Sequence, residues 1–133
     1  MSVYKNLFTS FLDAQGVKYL EVKENVIRIG YNAENKDSIA AIVFFDDDND
    51  VAIRCFEIAK CKNRELNAIQ ACNQLNHKYR WIKFYVDNDS DIIASTDAYV
   101  TEDSCGEEIF RLVLTLIDIV DKAYPAIMGA IYG

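Results

Sequence analysis

The chain has 133 residues, of which 51% are hydrophobic and 12% aromatic, and it carries a formal net charge of -7 with a single proline. This length and composition exclude a disordered chain and predict one domain spanning residues 1–133. The acidic balance argues against a nucleic-acid partner, because affinity for nucleic acid is built largely from clustered lysine and arginine side chains.

The first predicted element is an amphipathic helix at the start of the chain. Between Tyr4 and Leu12 the apolar residues recur three and four positions apart, which is the spacing of one helix face. Gly16 stands where a left-handed residue would end this helix. The first residues lack the long apolar run of a signal peptide, so we expect a cytoplasmic protein.

The pattern changes to that of β-strands between residues 18 and 60. β-branched and aromatic runs at 26–31, 39–45 and 51–58 are separated by polar turns. This pattern predicts an antiparallel meander of three strands, or of four strands if residues 19–22 form one as well.

A second helix is predicted after this meander, with Asn63 as its N-cap. The polar face of this helix carries Asn67, Asn73 and Asn76. Asparagine weakens a helix interior because its amide competes with the backbone for hydrogen bonds, so its repeated use indicates a further constraint. These amides either contact a partner or satisfy backbone groups in adjacent loops, and the sequence leaves both interpretations open.

The next strand alternates between an apolar face, at residues 82, 84 and 86, and a mixed face with Trp81, Lys83 and Tyr85. Residues 87–91 then turn the chain into a partner strand at 92–100. Trp81 and Tyr85 either form an exposed aromatic platform for a peptide or are covered by a helix, because one face of an α+β sheet is commonly packed by helices.

The third helix is predicted to begin at a capping box formed by Ser104 and Glu107. It is expected to run to about Tyr124, where Pro125 ends or kinks it. Residues 126–133 are expected to form a short docked helix.

Polar side chains form only one narrow stripe on the third helix. We therefore expect it to be covered on two sides, either by the sheet and another helix of the same chain or by a second subunit. Arg111, Asp118 and Asp121 interrupt its apolar residues, which excludes a membrane span.

Two acidic turns, 46–50 and 87–91, place carboxylates at alternate positions, as in a calcium loop. Val51 and Ile92 occupy the sixth position, where the EF-hand motif requires glycine, so both segments are predicted to be hairpin turns and not metal sites.

The four cysteines lack the spacings of a zinc site, and we expect reduced thiols. His77 and Cys72 are five positions apart, which places them about 140° apart around a helix and disfavours a catalytic pair. No catalytic or cofactor-binding residues are predicted.

The order of these elements, together with the segment Leu66 to Asn76 leading into Arg80 to Asp87, resembles the YbjN-domain family over nearly the whole chain. The resemblance implies a bacterial protein with an α+β fold similar to type III secretion chaperones. In that fold an antiparallel sheet packs with helices in the order α-β(3-4)-α-β-β-α. It also implies a homodimer, since such small acidic proteins often dimerise and bind extended segments of other proteins.

We therefore expect a non-enzymatic protein-binding module, chaperone-like or regulatory, that engages a polypeptide through a sheet face or strand edge. Its expected contact residues are Trp81, Lys83, Tyr85, Asn73 and Asn76. The hypothesis includes no cofactor and no membrane or nucleic-acid partner. The alternative is a small-molecule or metal-responsive sensor, for which the acidic turns and cysteines would be the relevant features.

Overall fold

A computed structural model describes residues 2–133 of the chain. The elements follow the predicted order, with four strands before the second helix: α1 (Val3–Gln15), β1 (Leu20–Lys23), β2 (Val26–Asn32), β3 (Ser38–Phe45), β4 (Asp50–Lys60), α2 (Glu65–Lys78), β5 (Lys83–Val86), β6 (Asp91–Tyr99) and α3 (Cys105–Tyr132).

The six strands form one antiparallel sheet in the order β1-β2-β3-β4-β6-β5. Helix α3 packs on β3, β4 and β6, and α1 and α2 flank it. The core lies between this helical layer and one sheet face, with Phe8, Ile53 and Leu116 among its fully buried side chains. No helix from residues 2–133 packs on the other sheet face, which we name the open face.

Helix α1 ends as the sequence predicts. Gly16 has a left-handed φ of 70°, and its N–H donates to the carbonyl oxygens of Leu12 and Asp13. At the other end, the Ser2 hydroxyl accepts the N–H of Lys5 as an N-cap.

The predicted cap of α2 is wrong, and that of α3 is right in its residue but not in its capping box. Asn63 lies in a turn with φ of 69°, and Arg64 occupies the N-cap position of α2 without a side-chain cap bond. Ser104 is the N-cap of α3, but its hydroxyl pairs with the Thr101 hydroxyl at 3.1 Å instead of forming a capping box.

Helix α3 continues through Pro125 to Tyr132, so the predicted end of the helix near Tyr124 and the separate tail helix are wrong. Proline has no N–H to donate to the carbonyl oxygen four residues earlier, which belongs to Asp121. The side-chain amide of Asn35 donates to that oxygen instead, at 3.1 Å. The β2–β3 turn thus supplies the donor that proline removes.

The same turn is held by the Asp121 side chain. Its carboxylate accepts the backbone N–H groups of Glu34, Asn35 and Lys36 at 3.2, 2.8 and 3.1 Å. Burial acts to raise the pKa of Asp121, but the three backbone donors outweigh it and the pKa is lowered.

The coverage of α3 comes from its own chain. The sheet lies on one side of the helix, and α1 and α2 lie beside it. Among the described residues, no helix has the length and apolar character needed to cross a membrane.

Candidate functional site

The open face is organised by the strand register into rows that run across the sheet. Paired residues of antiparallel strands point to the same face, so the register places one row of side chains across all six strands. We name it the cationic row, and it consists of Leu20, Arg28, Ile42, Arg54, Ser95 and Lys83.

Apolar side chains flank the cationic row on both sides. Phe44 and Ala52 pair on one side, and Tyr85 lies on the other. Phe56 falls in the irregular part of β4 and has no register partner, and its contact with Phe44 places it on the same face. The rings of Phe44 and Phe56 meet edge to face, with centroids 6.2 Å apart. Phe56 is 47% exposed and Tyr85 41% exposed. Clustered exposed aromatic side chains among polar groups are typical of interaction sites in soluble proteins.

The charges of the cationic row differ in how far they are neutralised. Arg54 donates to the Asp97 carboxylate at 2.8 Å and to the Thr96 carbonyl oxygen at 3.1 Å. Arg28 and Lys83 have no carboxylate within 4.0 Å among residues 2–133. Two uncompensated cations therefore lie on the open face of a chain whose net charge is -7.

Of the residues predicted from the sequence, Lys83 and Tyr85 lie on the open face. Trp81 does not join them, because β5 begins only at Lys83 and Trp81 has a left-handed φ of 74°. Its side chain is 69% exposed and lines a cavity of about 600 Å³ with residues of α3, including Arg111 and Leu112. Trp81 and Tyr85 therefore do not form a common platform.

The three asparagines of α2 have different positions. The amide of Asn76 bonds both backbone groups of Phe84: it accepts the N–H at 2.6 Å and donates to the carbonyl oxygen at 3.0 Å. Because β5 is an edge strand, Asn76 closes that edge at Phe84. Asn67 donates to the carbonyl oxygen of Ala130 in the last turn of α3. Asn73 is exposed.

Asn73 shares a stripe of α2 with two exposed apolar residues. Leu66 is 68% exposed and Ile69 is 53% exposed, and the spacing of three and four residues places all three on one side of the helix. This stripe is separate from the open face.

The first carboxylate of each acidic turn is used locally. Asp46 accepts the backbone N–H of Asp48 at 2.9 Å, and Asp87 accepts those of Asp89 and Asp91 at 2.9 Å each. This is the Asx geometry expected of hairpin turns. Within residues 2–133, no group of three or more His, Cys, Asp and Glu side chains is arranged to hold a metal ion.

The cysteines are free and buried. Burial raises the pKa of Cys55 and of Cys72 to about 11, and it also raises the pKa of Cys61 and Cys105. These thiols are protonated at neutral pH and are poor nucleophiles. His77 is exposed on α2 whereas Cys72 is buried, so the two do not form a nucleophile–base pair.

Sequence reasoning did not identify Arg28, Arg54, Phe44 or Phe56 as parts of a surface. One signal was available, because β3 reads as apolar at both odd and even positions from Ile39 to Phe45. Such a strand places apolar side chains on both faces of the sheet. The identity of the row itself depends on strand register, which the sequence does not specify directly.

One comparison with known proteins identifies the family, and another identifies the fold. A family model named YbjN and described as "Putative bacterial sensory transduction regulator" matches residues 6–128. A comparison with the sequences of curated proteins gave no match.

Two solved structures are similar in fold. One is the crystal structure of the Yersinia pestis type III secretion chaperone SycH in complex with a stable fragment of YscM2, with a TM-score of 0.59 and 12% identity over 91% of this chain and 99% of that chain. The other is a chain of the heterodimeric ExoU–SpcU complex from the type III secretion system of Pseudomonas aeruginosa, with a TM-score of 0.54 and 10% identity over 92% and 96% of the two chains. The fold is therefore the predicted α+β fold of type III secretion chaperones.

Proposed function

The chain belongs to the YbjN family, and we propose that it is a non-enzymatic polypeptide-binding module, chaperone-like or regulatory, whose main binding surface is the open face. The proposal takes residues 1–133 as a single cytoplasmic domain. The structures that share its fold support it, since SycH was crystallised with a fragment of YscM2 and the other structure is the ExoU–SpcU heterodimer.

The observation that carries the proposal is the apolar surface of the open face, which no element of the described chain covers. Phe56 and Tyr85 are each about half exposed there. Covering the remaining exposed area of one such aromatic ring contributes roughly 2 kcal/mol to binding. Several such side chains on a rigid sheet provide a docking surface that needs no ordering when a partner binds.

The sheet edges offer less than the open face. Asn76 occupies both backbone groups of Phe84, so the β5 edge does not accept an added strand at that point. The β1 edge is only four residues long, from Leu20 to Lys23. We therefore assign the partner to the open face, with Lys83 and Tyr85 as contacts.

The remaining predicted contacts have separate roles in the proposal. Asn76 acts by holding β5 against α2. Trp81 is a further contact beside α3, in the cavity that it lines. Asn73 belongs to the exposed stripe with Leu66 and Ile69, which we assign to the homodimer.

Co-purification with variants of the open face tests the binding surface. Phe56→Asp places a charge on the open face, and Leu114→Asp places the same charge on an exposed apolar position of α3. A polypeptide that co-purifies with the wild-type chain from its native cell should be retained by the Leu114 variant and lost with the Phe56 variant. The opposite pattern would place the partner on the helical side and contradict the proposal.

Light scattering tests the homodimer. At tens of micromolar the wild-type chain should have the mass of two copies, and Leu66→Asp combined with Ile69→Asp should give a monomer. A monomeric wild-type chain removes the homodimer from the proposal and leaves the open face unaffected.

A further inference from the structure

One row of the open face is positively charged on a strongly acidic chain, and the carboxylates of Asp50 and Asp97 lie to one side of it. The cationic row contains Arg28, Arg54 and Lys83 and no carboxylate. A partner with only apolar side chains would leave Arg28 and Lys83 without a carboxylate partner. We infer that the open face binds a polypeptide segment in which acidic side chains alternate with apolar ones. This inference rests on the proposed function and specifies the chemistry of the partner.

The two end cations are the ones available to a partner. Arg54 is already paired with Asp97, whereas Arg28 and Lys83 are exposed and lack a carboxylate partner in the described part of the chain. The Arg28 guanidinium extends over Gly30, where an added Cβ would lie 3.4 Å from its Nη1 atom. Glycine thus leaves the guanidinium lying along the surface of the sheet, where a carboxylate can reach it from above.

The spacing of these cations limits the shape of the partner. Arg28 lies on β2 and Lys83 on β5, which are four strand spacings apart in the sheet. At about 4.8 Å per spacing the two positions are about 19 Å apart, which an extended chain covers in about six residues. Side chains six positions apart point to the same side of an extended chain, because the period is two.

The occupant predicted from this spacing has a simple pattern. Two acidic residues six positions apart meet Arg28 and Lys83, and the two sheet-facing residues between them are apolar. Those apolar residues meet Ile42 and the aromatic residues Phe44 and Phe56, which flank the middle of the row.

A second copy of this chain fits the row less well. Two open faces stacked about a two-fold axis through the row would bring the cations of one copy against those of the other, because such an interface is self-complementary. Like charges directly opposite each other disfavour pairing. Charge complementarity therefore selects an acidic segment of another polypeptide.

Three labelled peptides test this inference by fluorescence anisotropy. Each peptide has twelve residues and carries the order X-Phe-Leu-X at four alternate positions, with Ser and Asn at the outward positions. X is Glu in one peptide, Gln in the second and Lys in the third. Two exposed ion pairs should make the Glu peptide bind roughly tenfold more tightly than the Gln peptide, and the difference should shrink at high salt. The Lys peptide should bind more weakly than both.

Charge reversal supplies the matched variants. Arg28→Glu combined with Lys83→Glu should reverse the preference, so that the Lys peptide binds best. The control combines Lys62→Glu with Arg64→Glu, which changes the net charge by the same amount at exposed positions before α2. This control should keep the preference for the Glu peptide.

The other outcomes overturn the inference. Equal binding of the three peptides, no binding of any peptide, or an equal effect of the two charge reversals would each do so. So would tight binding of a 20-nucleotide poly-dT, or a wild-type dimer that the Arg28 and Lys83 reversal separates into monomers. If the Gln peptide binds as well as the Glu peptide and Phe56→Asp abolishes both, the acidic partner is wrong while the proposed function stands.

Discussion

Asn76 gives the sharpest prediction for the stability of the fold. Its side chain bonds the N–H and the carbonyl oxygen of Phe84, at 2.6 and 3.0 Å. Asn76→Ala removes both bonds, and each net hydrogen bond contributes about 1 kcal/mol to stability. Replacing asparagine by alanine inside a helix returns roughly 0.5 kcal/mol through helix propensity. The variant should therefore lose about 1.5 kcal/mol of unfolding free energy.

Asn73 provides the matched control, since it is the same residue type on the same helix and is exposed. Asn73→Ala gains the same stability from helix propensity without losing the hydrogen bonds to Phe84. The unfolding free energies of the two variants should therefore differ by about 2 kcal/mol. Urea denaturation followed by circular dichroism measures both free energies of unfolding. Hydrogen exchange should also show faster exchange of the Phe84 amide in the Asn76 variant only. If the two variants unfold at the same urea concentration, Asn76 does not hold the β5 edge.

Three further predictions follow from the buried thiols, the Asp121 contacts and the acidic turns. Because the pKa of Cys55 is raised to about 11 in the folded chain, the unfolded chain releases this proton first and stability falls as pH rises above 9. Between pH 8 and pH 10, the unfolding free energy measured with urea should fall by about 1 kcal/mol less for Cys55→Ala than for wild type. Equal losses would contradict the raised pKa of Cys55. The lowered pKa of Asp121 gives the opposite dependence of stability on pH. The stability that its carboxylate contributes is present above the pKa of this group in the unfolded chain, and it is lost as pH falls through its pKa in the folded chain. Asp121→Asn should therefore have a lower melting temperature at pH 7 and a smaller further loss on acidification than wild type, and identical acid profiles would refute this. Millimolar calcium should leave the melting temperature of the wild-type chain unchanged, because Asp46 and Asp87 already accept backbone N–H groups and no three acidic side chains of residues 2–133 are arranged to hold an ion; a clear rise would favour the sensor hypothesis.

The element order could be predicted because the hydrophobic period changes clearly along the chain. The three- and four-residue spacing near Tyr4 and the β-branched runs before residue 60 gave a helix and strands where the structure has them. The local period depends only on which face of an element is buried, so it predicts the element without any information on what packs against that face.

Features that depend on distant contacts could not be predicted in this way. The continuation of α3 through Pro125 requires the amide of Asn35, which is brought there by the β2–β3 turn. Alternation predicts that Trp81 lies on the same face as Tyr85, but a left-handed backbone before β5 turns it away. Both outcomes come from tertiary geometry that overrides a local pattern.

Only the part of the candidate site that depends on a local pattern could be predicted. Lys83 and Tyr85 lie on one strand, so alternation alone placed them together on its mixed face. Arg28 and Arg54 join them only because the register of β2, β3, β4, β6 and β5 aligns these positions across the sheet. A shift of one residue in any strand would move its side chains to the other face.

Site-specific photo-crosslinking tests the central claim most directly. A photoreactive amino acid replaces Phe56 on the open face in one variant and Leu114 on α3 in another, and the crosslinked polypeptide is identified by mass spectrometry. The proposal predicts crosslinks to one specific polypeptide from position 56, at a segment with alternating acidic and apolar residues, and none from position 114. Crosslinks from position 114 alone would show that the partner binds the helical side and would contradict the account.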